Sequence, residues 1–323
     1  DHPLSVELGE WVIASALAQM AAWRAEGLDI PVSVNLSARQ LQQTDFVQRL
    51  RELLAAQPGA RACDLELEVL ETSALDDLAH ASQVIQACLD FGVRFALDDF
   101  GTGYASLAYL KRLPVAMLKI DQSFVRDMLF DPDDLAILEG VIGLATAFRR
   151  QIIAEGVETV EHGEMLLRLG CELAQGYGIA RPMPAAELPA WAASWRPDPC
   201  WLNKPAVSRD DLALLFAGVE HQAWILGIEL RIQGELALAP PLDPHTCRFG
   251  QWLNSESRQR YGAHPAFNAV ENLHREVHVI ATSLLELHAS GHHHQALAGM
   301  MELHRRRDAL LLQLNNLLLP DDF

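Results

Sequence analysis

Apolar and polar positions change period repeatedly over the first 195 residues. Leu8 to Arg24 places apolar residues at helical spacing, and Pro31-Val-Ser-Val-Asn-Leu-Ser37 then follows with the small and apolar pattern of a strand. The runs Leu65–Glu71, Arg94–Phe100, Met117–Asp121, Ile152–Val157 and Gly176–Ala180 read as further strands, with amphipathic segments of helical length between most of them. Such alternation predicts a parallel sheet with right-handed crossovers, either doubly wound or closed into a barrel. Six strands are counted, two short of the eight of a full (β/α) barrel.

Beyond residue 205 the pattern becomes helical. Asp210–Ile232 repeats apolar residues at Leu214, Val219, Trp224, Ile225, Ile228 and Ile232, and Pro265–His288 does so through Phe267, Val270, Leu273, Val277, Ala281 and Leu284. A last helix is predicted from about His293 to Leu319. Short connections between such helices imply a small bundle. The Pro-rich stretch Trp195–Pro205 separates the two patterns. The expected organisation is therefore 1–195 as an α/β barrel, 196–207 as linker and 208–323 as an all-α bundle.

A chain of 323 residues, half of them apolar, has enough material for two packed cores. Its formal charge of −18 argues against binding a nucleic-acid polymer, which needs a basic face. An anionic substrate would have to be held through metal ions. The five cysteines are scattered and lack CxxC spacing, so a disulfide framework is not expected and a reducing cytoplasm is the default. No apolar run reaches the roughly 20 residues of a membrane span, and no signal peptide opens the chain. The chain begins on Asp1, within a helical approach, which suggests a piece of a longer protein.

The polar residues of the first part gather at strand ends. Asn35, Glu68, Asp98, Asp99, Lys119, Asp121, Glu155 and Glu158 fall there, and Gln175 lies just before the last predicted strand. Parallel α/β folds build their sites at the carboxyl ends of their strands, so these side chains would converge on one mouth. An Asp98-Asp99 pair leading into Gly101-Thr102-Gly103 would, taken alone, read as a solvated turn. Its recurrence with carboxylates on successive strands points instead to hard divalent cations, Mg²⁺ or Mn²⁺, which take oxygen ligands. Four or five carboxylates with one amide suit two cations about 3.5 to 4 Å apart, the arrangement for in-line attack of water on a phosphodiester.

The segments VSVNLSARQL, LELEVLET, FALDDFGTGYASLAYLKRLPVAMLKIDQSFV, IIAEGVET and QGYGIARPMP together resemble an EAL domain, the family of cyclic di-GMP phosphodiesterases, over residues 1 to about 193. The resemblance implies a TIM-like barrel that hydrolyses cyclic di-GMP to pGpG. It implies Asn35, Glu68 and Asp98 as ligands of one metal and Asp98, Asp99 and Glu155 as ligands of the other. Lys119 would position the attacking water, and Asp121, Glu158 and Gln175 would support the metal site. Glu71 and the loop Phe100–Ser106 match the family segment that couples dimerisation to metal binding, so a homodimer is expected. The Glu-Ala-Leu signature, whose Glu is a metal ligand, belongs to a segment upstream of Asp1. The strands absent from the count of eight are the ones that would carry it. LEVLET stands in place of the more usual LEITES and keeps Glu68 and Glu71.

Histidine is concentrated in the second part, with ten of thirteen after residue 200. His274 and His278, spaced i, i+4, share one helical face. Three imidazoles and one thiolate complete a closed tetrahedral zinc shell. His221, then CRFGQW, then LHREVH resembles the chemoreceptor zinc-binding (CZB) family over about residues 208 to 319, which implies one Zn²⁺ on His221, Cys247, His274 and His278. His292-His293-His294 reads as a solvated loop. The function expected from both resemblances is a two-metal cyclic di-GMP phosphodiesterase regulated by a zinc-sensing domain. The alternative is a receptor that holds cyclic di-GMP without cutting it, with a zinc-stabilised dimerisation module.

Overall fold

Six parallel strands are hydrogen-bonded strictly in chain order: β1 (Val32–Asn35), β2 (Leu65–Leu70), β3 (Arg94–Phe100), β4 (Met117–Ile120), β5 (Gln151–Ala154) and β6 (Leu173–Ala174). This computed structural model describes residues 4–103, 107–255 and 257–318. Each crossover carries a helix: α2 (Phe46–Ala56), α3 (Leu78–Leu89), α4 (Leu107–Arg112), α5 (Pro132–Ala147) and α6 (Val160–Leu169), while α1 (Leu4–Ala25) precedes β1. Strand order equal to chain order with helical crossovers is the winding of a TIM-like barrel, and the sheet forms an arc of one.

The sequence dictates this locally. In α1 the buried residues Gly9, Ile13, Leu17, Met20 and Trp23 recur at i, i+4 and i+3, one stripe on one face. The α6 helix starts where Thr159 accepts from the His162 amide and stops at Gly170, whose φ of 92° is a left-handed cap. In β2, Leu-Glu-Leu-Glu-Val-Leu alternates as if one face met water, yet Leu65 through Val69 are all buried. The leucines and valine take one face. Glu66 and Glu68 take the other, where Ser33 Oγ donates to Glu66 Oε1 at 3.0 Å and Lys119 Nζ donates to Glu68 Oε2 at 2.8 Å.

The last strand differs from expectation. Pairing occurs at Leu173–Ala174, and Gly176–Ala180 is a turn closed by the Ile179 and Ala180 amides on the Gly176 carbonyl. Its cause is close backbone contact: a Cβ at Gly176 would sit 2.2 Å from the Val157 carbonyl oxygen, so the chain folds against the end of β5 and leaves the sheet. The Pro-rich stretch is also held, and not free chain. Trp201 Nε1 donates to the Val160 carbonyl at 2.8 Å, its ring fills the space above Gly163, and Lys204 pairs with Glu164 at 2.7 Å.

The chain forms two compact units, Asp1–Arg126 with Ile137–Pro205, and Asp127–Ala136 with Ala206–Phe323. In the second, α7 (Leu212–Gln233), α9 (Pro265–Ala289) and α10 (His293–Asn316) pack as a bundle, with the short α8 (Arg248–Leu253) between α7 and α9. Two apolar clusters make its core. One contains Leu214, Ala217, Phe249, Phe267, Val270 and Leu310; the other contains Ile225, Ile228, Val277, Ala281, Met300 and Leu303. No helix among the described residues is long and apolar enough to cross a membrane.

Candidate metal centres

Successive residues of a strand point to opposite faces, so Asp98 and Asp99 cannot both face the barrel mouth in regular β structure. The structure resolves this with a bulge. Leu97 pairs with Leu118 and Phe100 with Ile120, so β3 spends three steps where β4 spends two. The surplus residue is Asp99, which adopts φ 54°, the left-handed region that Asp tolerates better than most side chains. Its carboxylate thereby joins those of Asp98 and Glu155, with one oxygen of each lying within 4.8 Å of the others. Glu155 enters from the end of β5, where its amide still bonds the Ile120 carbonyl at 3.2 Å.

Lys119 sits at the centre of this acidic mouth and is 4 % exposed. Its Nζ lies 2.8 Å from Glu68 Oε2, 2.9 Å from Asp98 Oδ1 and 2.6 Å from Glu155 Oε1. Burial opposes the ammonium, but hydrogen bonds to Asp98, Glu155 and Glu68 outweigh it and hold its pKa above the ordinary value. One cation does not balance so many acids. Burial raises Asp99, and the charges of Asp98, Asp121 and Glu155 raise it further; Glu155 is raised chiefly by burial in spite of Lys119. A cluster of oxygen donors held against mutual repulsion is the donor set a hard divalent cation relieves, so these residues fit Mg²⁺ or Mn²⁺.

The remaining barrel candidates are placed around this centre. Asn35 ends β1, exposed and in register with Glu68. Asp121 follows β4, receives the Ser123 amide at 2.9 Å and the Ser123 hydroxyl, and shares a hydrogen bond with Asp99. Glu71, 1 % exposed, takes the Gly101 amide at 3.0 Å, which ties the end of β2 to the turn after β3. Residues 104–106 of that loop lie outside the described residues. Glu158 and Gln175 are exposed; the Gln175 backbone joins β5 through its amide to Ala154 and its carbonyl to Val157.

In the bundle, His221, His274 and His278 lie between the two apolar clusters, a polar layer in an otherwise apolar core. Their nitrogens come within 4.8 Å of one another, and each ring is 2 % exposed or less. Cys247 Sγ reaches 3.3 Å from His274 Nε2 and accepts from the Gly250 amide at 3.2 Å. Burial, then repulsion from His278, His245 and Arg275, pushes His274 down to about 3; burial depresses His221 and His278 as well. These downward shifts favour the neutral imidazole, the form that ligates metals. Both ring nitrogens of His221 and Nε2 of His278 are buried without a hydrogen-bond partner. Orphaned buried nitrogens are costly, and three converging imidazoles, with the Cys247 thiol beside His274 but outside their 4.8 Å group, fit a tetrahedral Zn²⁺.

Sequence reasoning missed the groups that orient this set. The Leu242 carbonyl lies 2.7 Å from His278 Nδ1, which leaves Nε2 to face the cluster. The Trp224 ring packs tilted against His278 with centroids 4.1 Å apart, and its Nε1 donates to the Pro241 carbonyl at 2.7 Å, pinning the same segment. A carbonyl in an irregular segment leaves no residue-type signal. Trp224, three positions after His221, gave one.

Comparison with known proteins gives the same two parts. The EAL domain family matches residues 1–182, and the chemoreceptor zinc-binding domain family matches residues 221–285. The chain is 41% identical over 191 residues to the bifunctional diguanylate cyclase/cyclic di-GMP phosphodiesterase MucR of Pseudomonas aeruginosa, covering 59% of this chain and 28% of that protein. It is 37% identical over 188 residues to the cyclic di-GMP phosphodiesterase PdeR of Escherichia coli, covering 58% of this chain and 28% of that one. The chain thus spans under a third of the length of these curated relatives. Among solved structures, the PaMucR phosphodiesterase in complex with c-di-GMP is similar at TM-score 0.55 and 41% identity, covering 57% of this chain and 75% of that one. The EAL domain of Mycobacterium smegmatis DcpA is similar at TM-score 0.57 and 39% identity, covering 60% and 87%. With its family motifs seated on one parallel sheet and a zinc-binding segment in the bundle that follows, the chain belongs to the EAL-domain family and carries a chemoreceptor zinc-binding domain.

Proposed function

We propose that the barrel hydrolyses cyclic di-GMP to linear pGpG, using divalent cations held by Asp98, Asp99 and Glu155, with Asn35 and Glu68 completing the ligand set. The observation that carries this reading is the bulge in β3, which turns two consecutive carboxylates to the same side as Glu155. When bound, the cations supply an activated water and a clamp on the phosphodiester. Asp98, between Glu68 and Glu155 around Lys119, stands where a shared ligand would stand. Lys119 orients the water or a phosphate oxygen by hydrogen bonding. Water oxygen bonds to phosphorus, the bond from phosphorus to the 3′ oxygen breaks, and the proton passes to the leaving oxygen, which opens the ring. Asp121, Glu158 and Gln175 support the shell. The two relatives named above as cyclic di-GMP phosphodiesterases favour the same substrate.

In the bundle, His221, Cys247, His274 and His278 hold one Zn²⁺, and its occupancy regulates the barrel, most simply within a homodimer in the cytoplasm. The polar layer between two apolar clusters favours a two-state role, because the helices can repack when its nitrogens lose their partner.

The test is pGpG release with Mg²⁺ or Mn²⁺ by wild type and Asp98→Asn. Loss of turnover with retained ligand binding supports the reading; turnover near wild type sinks it. The receptor reading has one observation in its favour, the pairing of Lys119 with Glu68, Asp98 and Glu155, which offsets part of their charge. It predicts binding by wild type with no pGpG under any divalent cation.

A further inference from the structure

The turn that joins α9 to α10 carries four histidines, His288, His292, His293 and His294, in seven residues. Gly291, at φ 82°, reverses the chain there, and the His292 amide returns to the Leu287 carbonyl at 2.9 Å. The reversal brings His288, from the last turn of α9, against His293, the first residue of α10. Their Nδ1 atoms are 3.0 Å apart, and their rings meet edge to face with centroids 4.6 Å apart. His288 is half-buried and His293 exposed. From His278 to His288 is ten positions along one helix, about 15 Å, so this pair is remote from the buried cluster.

Two neutral imidazoles can meet at this distance in only two ways. One nitrogen keeps its proton and donates to the other, or both lone pairs turn to a common cation. At the usual metal–nitrogen bond of about 2.0 to 2.1 Å, a 3.0 Å separation subtends about 94° at the metal. That is nearer the right angle of square-planar or octahedral coordination than the 109° of a tetrahedron, and it suits Ni²⁺ or Cu²⁺ at least as well as Zn²⁺. Arg231 is the charged neighbour of His288 and weakens any cation site there.

We propose that His288 and His293 form a second transition-metal site on the bundle, a two-imidazole chelate whose remaining positions are open to solvent. It differs in kind from the buried set, which closes its shell with protein ligands: this one is exposed, weaker and fast to exchange. A chelate that joins the end of α9 to the start of α10 can take up a cation from solution and release it again without unfolding any part of the bundle.

The full chain, given one equivalent of Zn²⁺ for the buried set and excess Mg²⁺ for the barrel carboxylates, is titrated with Ni²⁺ by calorimetry. Wild type is expected to take one further equivalent. His288→Gln and His293→Gln should each weaken that equivalent by roughly tenfold or more, because the second imidazole acts as an intramolecular ligand. His294→Gln should leave it unchanged. Copper EPR should show hyperfine structure from two nitrogens in wild type and one in either variant. His293 and His294 are exposed and His288 is half-buried, and unchanged melting temperatures keep the comparison clean. No equivalent beyond the buried site, or equal damage from His294→Gln, overturns the proposal. Failure of the buried zinc site would show separately, as unchanged zinc stoichiometry in Cys247→Ala.

Discussion

Cys247 Sγ and His274 Nε2 lie 3.3 Å apart across 27 residues of chain, one at the start of a short helix and the other midway along a long one. Gly250 makes this possible. A Cβ there would fall 1.7 Å from the Pro244 carbonyl oxygen and 3.3 Å from Sγ, so any side chain at 250 would push the sulfur away. Zinc content should therefore drop in Cys247→Ala, and Gly250→Ala should lose zinc nearly as well with all four ligands intact. Metal analysis of the purified variants decides it; a zinc-replete Gly250→Ala refutes the geometric account.

Trp224→Phe keeps the ring against His278 and removes only the bond to Pro241. We expect a stability loss of about 1 kcal/mol. Because the pinned segment supplies the Leu242 carbonyl, zinc affinity should fall by roughly tenfold or more. Competition with a chelator reads this directly. Unchanged affinity with lowered stability would make Trp224 a packing residue alone.

Lys119→Met leaves Glu68, Asp98 and Glu155 buried without their common cation. Removing one partner of a buried ion pair costs about 3 to 5 kcal/mol, and part of that should return when the carboxylates are protonated or bind metal. The melting temperature of the variant should therefore rise more with Mn²⁺ than that of wild type. An equal rise in both proteins would mean that Lys119 and the cation do not share ligands.

Asp211, just before α7, gives a pH signature away from either metal centre. Burial raises its pKa, but hydrogen bonds from Ser208, Tyr261 and Arg260 more than offset this and hold it below the ordinary 3.8. A carboxylate depressed in the folded state contributes stability above pH 3.8, and that contribution is lost as pH falls through the folded value. Asp211→Asn should cost about 1 kcal/mol at pH 7, partial exposure screening the rest, and nothing once wild-type Asp211 is protonated. Denaturant midpoints at pH 7 and pH 3 supply the comparison; a gap independent of pH would assign the loss to geometry and not charge.

The carboxylate cluster of the barrel was legible because the strand-end acids stand in conspicuous pairs and runs, and the histidine cluster of the bundle because i, i+4 spacing survives any packing. What escaped were relations between segments. Nothing in Leu97-Asp98-Asp99-Phe100 announces an extra residue, since a bulge is a property of two strands in register. Gly176–Ala180 has the composition of a strand, and only the approach of Gly176 to Val157 excludes it. The resemblance assigned Lys119 to the attacking water, whereas its three carboxylate partners on β2, on β3 and at the end of β5 depend on where the sheet curves.

The surplus residue in β3 separates two inheritances that share one strand. Leu97 and Phe100 keep the ladder to β4 on either side of the insertion, so hydrogen bonding of the sheet does not require Asp99. Losing the Asp99 codon would let β3 and β4 pair without interruption while removing the second carboxylate from the mouth. A lineage could in this way discard turnover and retain the scaffold in one step.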